Sequence, residues 1–254
     1  VVITDDGELH DLVLDSVLPH DGIDPLSTGV FAAVPRVLTD ACRAAARCTS
    51  DPVDDVREVV RRYGDGVGLL DLITTMSIVD PTFSELLPAL AEAASGRPDE
   101  LLALQAAYRD GSATAAEQLS QGLHASALCT DLTFPWGGSD APLEGRQRAL
   151  AAAAATARVD PFDLATATGT GFIQQCLPWP PTEPAGLPVG ADLPAVPTLL
   201  LAGDRDLSTP MEWAQQELAH APQGRIVVVP GAGHSVISRA GGGQEAVRDF
   251  LVGD

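Results

Sequence analysis

The chain has 254 residues, 45% of them hydrophobic, and sets 15 basic side chains against 35 acidic ones for a formal charge of −20. That length, with a mean hydropathy of +0.12, excludes a disordered chain and allows one large packed domain or two small ones. The acidity argues against nucleic acid or an anionic membrane as partner, because phosphate binding needs clustered Lys and Arg, and no uninterrupted apolar run approaches the roughly 18 residues that span a bilayer.

In chain order, "VVITDDGELH" (1–10) lacks the basic flank and apolar core of a signal peptide, so an exported form would already have lost its signal. "LVLDSVLP" (12–19) is a short apolar run with β-branched residues, stopped by Pro19 and the turn "HDGIDP", and predicts a buried strand. "TGVFAAVPRVLTDACRAAARC" (28–48) predicts a helix that tolerates or bends at Pro35. From about 51 to 190 the pattern is helical. "DPVDDVREVVRRYG" opens with an Asp cap and Pro at the first helical position and ends at Gly64. "DPTFSELLPALAEAASG" repeats the Asp-Pro opening and ends at Gly96. "RPDELLALQAAYRDG" and "SATAAEQLSQGLHASALC" follow with apolar spacings of three and four, then the Ala-rich "APLEGRQRALAAAAATARV". The Pro-dense "CLPWPPTEPAGLPVGADLPAVP" predicts a long connector without regular structure.

Residues 191–254 alternate strand and helix. "PTLLLAGDRD" reads as a strand entering a Gly-Asp turn and "TPMEWAQQELAHAP" as a helix capped at Ser208 or Thr209. "GRIVVVPGAGH" reads as a second strand and "GGGQEAVRDFLVGD" as a closing helix. Continuous apolar strands in this alternation predict a parallel sheet covered on both faces, with active groups at the carboxyl ends of the strands. Those ends carry Asp206 and His234, the pairing in which a carboxylate fixes a histidine tautomer and stabilises the imidazolium. Asp204 is the alternative acid, with Asp206 then a helix cap. His124 and His220 fall in helical runs, and His10 and His20 in turns without an evident partner.

Four cysteines, Cys42, Cys48, Cys129 and Cys176, show no metal-ligand spacing. An even count without CxxC predicts the disulfides Cys42–Cys48 and Cys129–Cys176 and an oxidising compartment, four buried thiols being the alternative. No metal or cofactor is expected. Asp131 and Trp136, close after Cys129, are candidate substrate contacts, Asp131 for an amine; for Asp131 a structural carboxylate is the other reading.

"LLLAGDRDLSTP…W" followed by "VVVPGAGHS" resembles the C-terminal end of α/β-hydrolases, whose triad runs Ser, Asp, His. With "DLVLDSVLPHDG", "ACRAAARC", "ALCTDLTFPW" and "CLPWP" the resemblance narrows to the tripeptidyl-aminopeptidase-like branch, secreted serine peptidases related to proline iminopeptidases, over about residues 11–252. It implies an α/β-hydrolase core from 1–50 and 191–254, with an incomplete, mostly parallel sheet, and a helical cap with connector over 51–190. It also implies Asp206 as triad acid, His234 as general base, an exo-acting aminopeptidase taking peptides or small esters, and an extracellular location. None of the serines lies in the G-x-S-x-G turn that exposes a nucleophile, and Ser139 in "PWGGSD" is a poor substitute. In the family "LVLDSV" follows the nucleophile's helix, so about a hundred residues of sheet are expected to lie outside this sequence, on a complementary N-terminal segment or second chain that carries the serine. An inactive binding module or an esterase of the same fold are the alternatives. An exposed sheet edge beside "LVLDSV" is also expected, unless "VVIT" covers it.

Overall fold

A computed structural model describes residues 2–3, 9–20, 22, 24–46, 48–111, 120–183 and 191–253. Four strands form one sheet in the order β1 (Val2–Ile3), β2 (Leu9–Asp15), β3 (Thr198–Gly203) and β4 (Gly224–Val229). β1 runs antiparallel to β2, pairing Val2 with Asp11 and Ile3 with Leu9, whereas β2, β3 and β4 are parallel. The fold is α/β.

β3, "TLLLAG", is buried at every position, as an apolar run inside a sheet covered on both faces must be. Its side chains alternate. Leu200 and Ala202 pack with Ala214 of α10 (Met211–Leu218), and Leu199 and Leu201 pack with Val236 and the apolar side of α12 (Gly241–Val252). β4 is only half-buried, which corrects the expectation that both late strands are fully covered: it is the sheet's edge. On the opposite side β1 reaches only the first residues of β2, and among the described residues no strand pairs with the far edge of Leu12–Asp15.

Between β2 and β3 lie nine helices among the described residues: α1 (Thr28–Ala45), α2 (Pro52–Tyr63), α3 (Gly66–Val79), α4 (Leu86–Ala94), α5 (Asp99–Gly111), α6 (Gln121–Asp131), α7 (Arg146–Ala154), α8 (Leu164–Gly169) and α9 (Gly171–Cys176). α2 forms as the sequence predicts: Asp51 Oδ1 accepts the Val53 N–H at 2.8 Å, Pro52 opens the first turn, and Gly64 closes it at φ 68°. Pro35 sits inside α1. The one backbone bond it forfeits is outweighed by the buried face of Phe31, Val34, Val37 and Leu38. Asp80 does not open α4. Its carboxylate instead holds a turn by accepting Thr82 N–H (3.1 Å), Ser84 N–H (3.0 Å) and both hydroxyls, and α4 starts at Leu86. The helix expected over 112–129 is present from Gln121, capped by Ser120; residues 112–119 lie outside the described set, as do 184–190 of the predicted connector.

One apolar cluster runs through these helices and takes in Leu207, from the loop after β3. Both predicted disulfides are present, Cys42–Cys48 at the end of α1 and Cys129–Cys176 joining α6 to α9. Beside the second lies Arg146, 3% exposed. Its Nη1 donates to the carbonyls of Cys176 (3.0 Å), Leu177 (3.2 Å) and Trp179 (2.9 Å), its Nη2 to Ala141 (2.6 Å) and its Nε to Pro142 (3.3 Å). Desolvation in this shell lowers its pKa. No helix among the described residues is long and apolar enough to cross a membrane.

The two disulfides close loops of 6 and 47 residues. By chain entropy they restrict the unfolded state by about 2 and about 4 kcal/mol respectively. Removing Cys129–Cys176 by paired Cys→Ser exchange is therefore expected to lower urea stability about twice as much as removing Cys42–Cys48.

Candidate active site

β3 ends at Gly203 and β4 at Val229, and the turns that follow bring together two side chains 28 residues apart. Gly203 is what allows it. A Cβ there would lie 2.3 Å from the carbonyl oxygens of both Ala232 and Gly233, so the two turns touch backbone to backbone. Arg205 N–H donates to the Ala232 carbonyl at 3.0 Å, and Gly231 N–H donates to Asp204 Oδ1 at 2.7 Å. Asp204 thus braces the turn that carries His234, and the carboxylate that bonds the imidazole is that of Asp206.

Asp206 is fully buried. Its Oδ1 accepts the N–H groups of Ser208 (2.8 Å) and Thr209 (2.9 Å), and its Oδ2 accepts the Thr209 hydroxyl (2.7 Å) and His234 Nδ1 (2.9 Å). All four partners donate, which suits an ionised carboxylate, an acceptor only. The loop-capping contacts that the sequence set against a triad-acid role are made by the same carboxylate that bonds His234. Because Asp206 takes the 208 and 209 amides, neither Ser208 nor Thr209 caps α10; its N-cap is Pro210.

His234 stands on an equally constrained turn. Gly231 adopts φ 71°, and a Cβ on Gly233 would sit 1.8 Å from the Ser77 carbonyl oxygen. The next residue, Ser235, has φ 61° and donates its N–H to Ser16 Oγ at 2.9 Å. Asp15, at the end of β2, accepts the N–H groups of Val236 (3.1 Å) and Ile237 (2.9 Å), which open α11 (Val236–Arg239). The bond to Asp206 requires the proton on Nδ1 and leaves the Nε2 lone pair as the basic site. The hydrogen bond to Asp206 raises the histidine's pKa above the ordinary 6.5; burial pulls it down, the charges of Asp206 and Asp15 add to the rise, and Arg239 opposes it. The imidazole is 25% exposed and borders a cleft of about 410 Å³, faced across by Ile78, Val79 and Pro81. Among the described residues no hydroxyl is within hydrogen-bond distance of Nε2; Thr209 Oγ1, at 3.1 Å, is on the Nδ1 side.

The remaining sequence candidates lie elsewhere. Asp131 is exposed at the end of α6. Trp136 stacks on Phe134 with ring centroids 4.7 Å apart, under the Arg146 guanidinium. Neither bonds to Asp206 or His234. Ser139 is buried and donates to the Thr182 carbonyl at 3.3 Å. His20 pairs with buried Glu217 at 2.9 Å. A second cavity of about 790 Å³, lined by Asp55, Glu92 and Glu100 among others, opens where residues 82–84 pass on from the His234 cleft. There burial, the leading influence, raises the Asp55 carboxyl's pKa above its ordinary value. Sequence reasoning missed Asp15, Ser16, Ser77 and Thr209. Only Asp15–Ser16, polar residues ending an apolar strand, left a local signal.

A family model described as TAP-like protein, within the α/β-hydrolases, matches residues 161–253. That stretch holds β3, β4, Asp206 and His234, and over it the chain is similar to the C-terminal region of TAP-like α/β-hydrolases. No curated protein matches the chain.

Two outcomes follow for His234. Asp206→Asn removes the charge that raises its pKa, so the imidazole should titrate below its wild-type value in an NMR titration. Because the folded value is raised, the pair's stabilisation is complete below the ordinary 6.5 and is lost as pH rises through the folded value. In urea unfolding, the stability gap between wild type and His234→Gln should accordingly be wider near about pH 5 than near about pH 9.

Proposed function

We propose that the chain supplies the acid and base of a serine hydrolase, an exo-acting aminopeptidase of the tripeptidyl or prolyl type, whose nucleophilic serine comes from a segment outside this sequence. One observation carries the reading. His234 is held by Asp206 in the tautomer that leaves Nε2 basic, at a cleft and beside a sheet edge that no strand among the described residues covers. Asp15 and Ser16 tie the C-terminal end of that edge strand, β2, to the turn of His234. A strand added parallel to β2 would end at the same place, and a serine just past its end would meet Nε2.

His234 would then take the hydroxyl proton as the serine oxygen adds to the substrate carbonyl carbon, with Asp206 stabilising the imidazolium. The same proton passes to the leaving amine as the scissile bond breaks, and water repeats the sequence on the acyl-enzyme. The aminopeptidase form rests on the TAP-like match. The larger cavity, lined by Asp55, Glu100 and the Glu92–Arg97 ion pair, lies next in the chain to the residues facing His234. Residues 51–190 are the cap in this reading, and Asp131 and Trp136 remain its proposed substrate contacts. Two disulfides support an extracellular setting.

The test mixes this chain with the N-terminal, nucleophile-bearing half of a TAP-like hydrolase. Hydrolysis of aminoacyl or tripeptidyl nitroanilides should appear, with a fluorophosphonate label on the added segment. With His234→Ala the rate should fall by about 10⁴-fold or more. No gain over the chain alone refutes the reading. Peptide binding without labelling would identify a non-catalytic module instead.

A further inference from the structure

The acid and base turns leave different strands, yet both rest on the last turn of one helix outside the sheet. Ser77, on α3, is fully buried. Its hydroxyl donates to the Thr74 carbonyl at 2.7 Å, which orients the oxygen to accept the N–H of Leu207 at 3.0 Å, one residue past the acid. Its carbonyl accepts the N–H of His234 itself at 3.4 Å and is the atom against which Gly233 has no room for a side chain. Two arginines add to the same platform. Arg239 Nη1 donates to the Ile78 carbonyl at 3.3 Å and Arg205 Nη1 to the Pro81 carbonyl at 3.0 Å. The side chain of Leu207 is fully buried in the helical cluster, so its amide has no water to turn to if Ser77 is lost.

We propose that Ser77 is a positioning residue for the Asp206–His234 pair: one residue on α3 holds the acid turn by its side-chain hydroxyl and the base turn by its backbone carbonyl, and so sets the separation of the two. The inference rests on the reading of the pair as the catalytic acid and base, but not on where the nucleophile comes from. It makes the helical layer part of the dyad's geometry, since a displacement of α3 moves both turns.

The experiment is an NMR titration of His234 in the intact chain, following its ring signals and the Nδ1 proton shared with Asp206. The ring faces Asp206, Asp15 and Arg239, and all three are left unchanged. In Ser77→Ala the titration midpoint should fall toward 6.5 and the Nδ1 proton signal should weaken. Ser77→Cys, nearly isosteric and a poor acceptor, should do the same in a variant that keeps the packing. Val56→Ala, a buried change in α2, should lower stability and leave His234 unmoved. A wild-type titration in folded Ser77→Ala or Ser77→Cys overturns the proposal, as does an equal shift in Val56→Ala. Failure of the hydrolysis test with these shifts present would sink the reaction and leave the positioning role intact.

Discussion

A hydrogen bond of 2.9 Å joins side chains on two separate turns, and those turns approach more closely than a Cβ at their contact would permit. The structure meets this with glycine on both sides of the contact. Gly203 lets the end of β3 lie on the carbonyls of Ala232 and Gly233, and Gly233 lets the base turn lie on Ser77. Everything else at the site follows from that closeness. The Arg205 and Gly231 amides find partners across the gap, the Asp206 carboxylate reaches the imidazole, and the helical layer presses on both turns. Replacing either glycine by any other residue would drive a Cβ into backbone carbonyl oxygens, a clash that no rotamer change can relieve.

Burying the acid carries a desolvation penalty that must be offset locally. Two amides, a hydroxyl and the imidazole N–H supply four donors to two oxygens. Three of the four come from residues 208 and 209, so the capping turn is what makes a buried carboxylate tolerable, and the histidine is the one partner free to change charge. Asp15 adds a second negative group on the other side of the same turn. It spends its own oxygens on the Val236 and Ile237 amides, so its influence on the ring is through charge rather than contact.

Much of this was legible in the residues, and what was not has a common cause. Apolar runs with sharp polar ends marked β3 and β4, and the rule that chemistry gathers at strand carboxyl ends singled out Asp206 and His234. Local signals served α2 equally well, because Asp51, Pro52 and Gly64 act within a few residues of themselves. α3 was not marked: apolar residues dominate it and the few polar ones left exposed or half-buried, Asp71, Thr74 and Thr75, give only weak amphipathic contrast against buried 69, 70, 73 and 76. The same "DP" opening meant a helix start at Asp51 and a closed turn at Asp80, because Thr82 and Ser84 offer hydroxyls that Val53 and Asp55 lack. Ser77 and Asp15 work across 130 and 221 residues of sequence, and no pattern along the chain encodes partners that distant.

All 15 basic side chains are arginine, and in surface ion pairs such as Arg61–Glu58 a lysine would supply the same charge. At Arg146 it would not suffice. Five carbonyl oxygens converge there on three nitrogens fixed in a plane, with no carboxylate in the shell. An ammonium has three donors on a single point and cannot serve carbonyls spread along two chain segments. The backbone that leaves Cys176 and the one that enters α7 are thus joined by a cation acting as a cross-link, next to the covalent one at Cys129–Cys176. This position would demand arginine even in a chain rich in lysine.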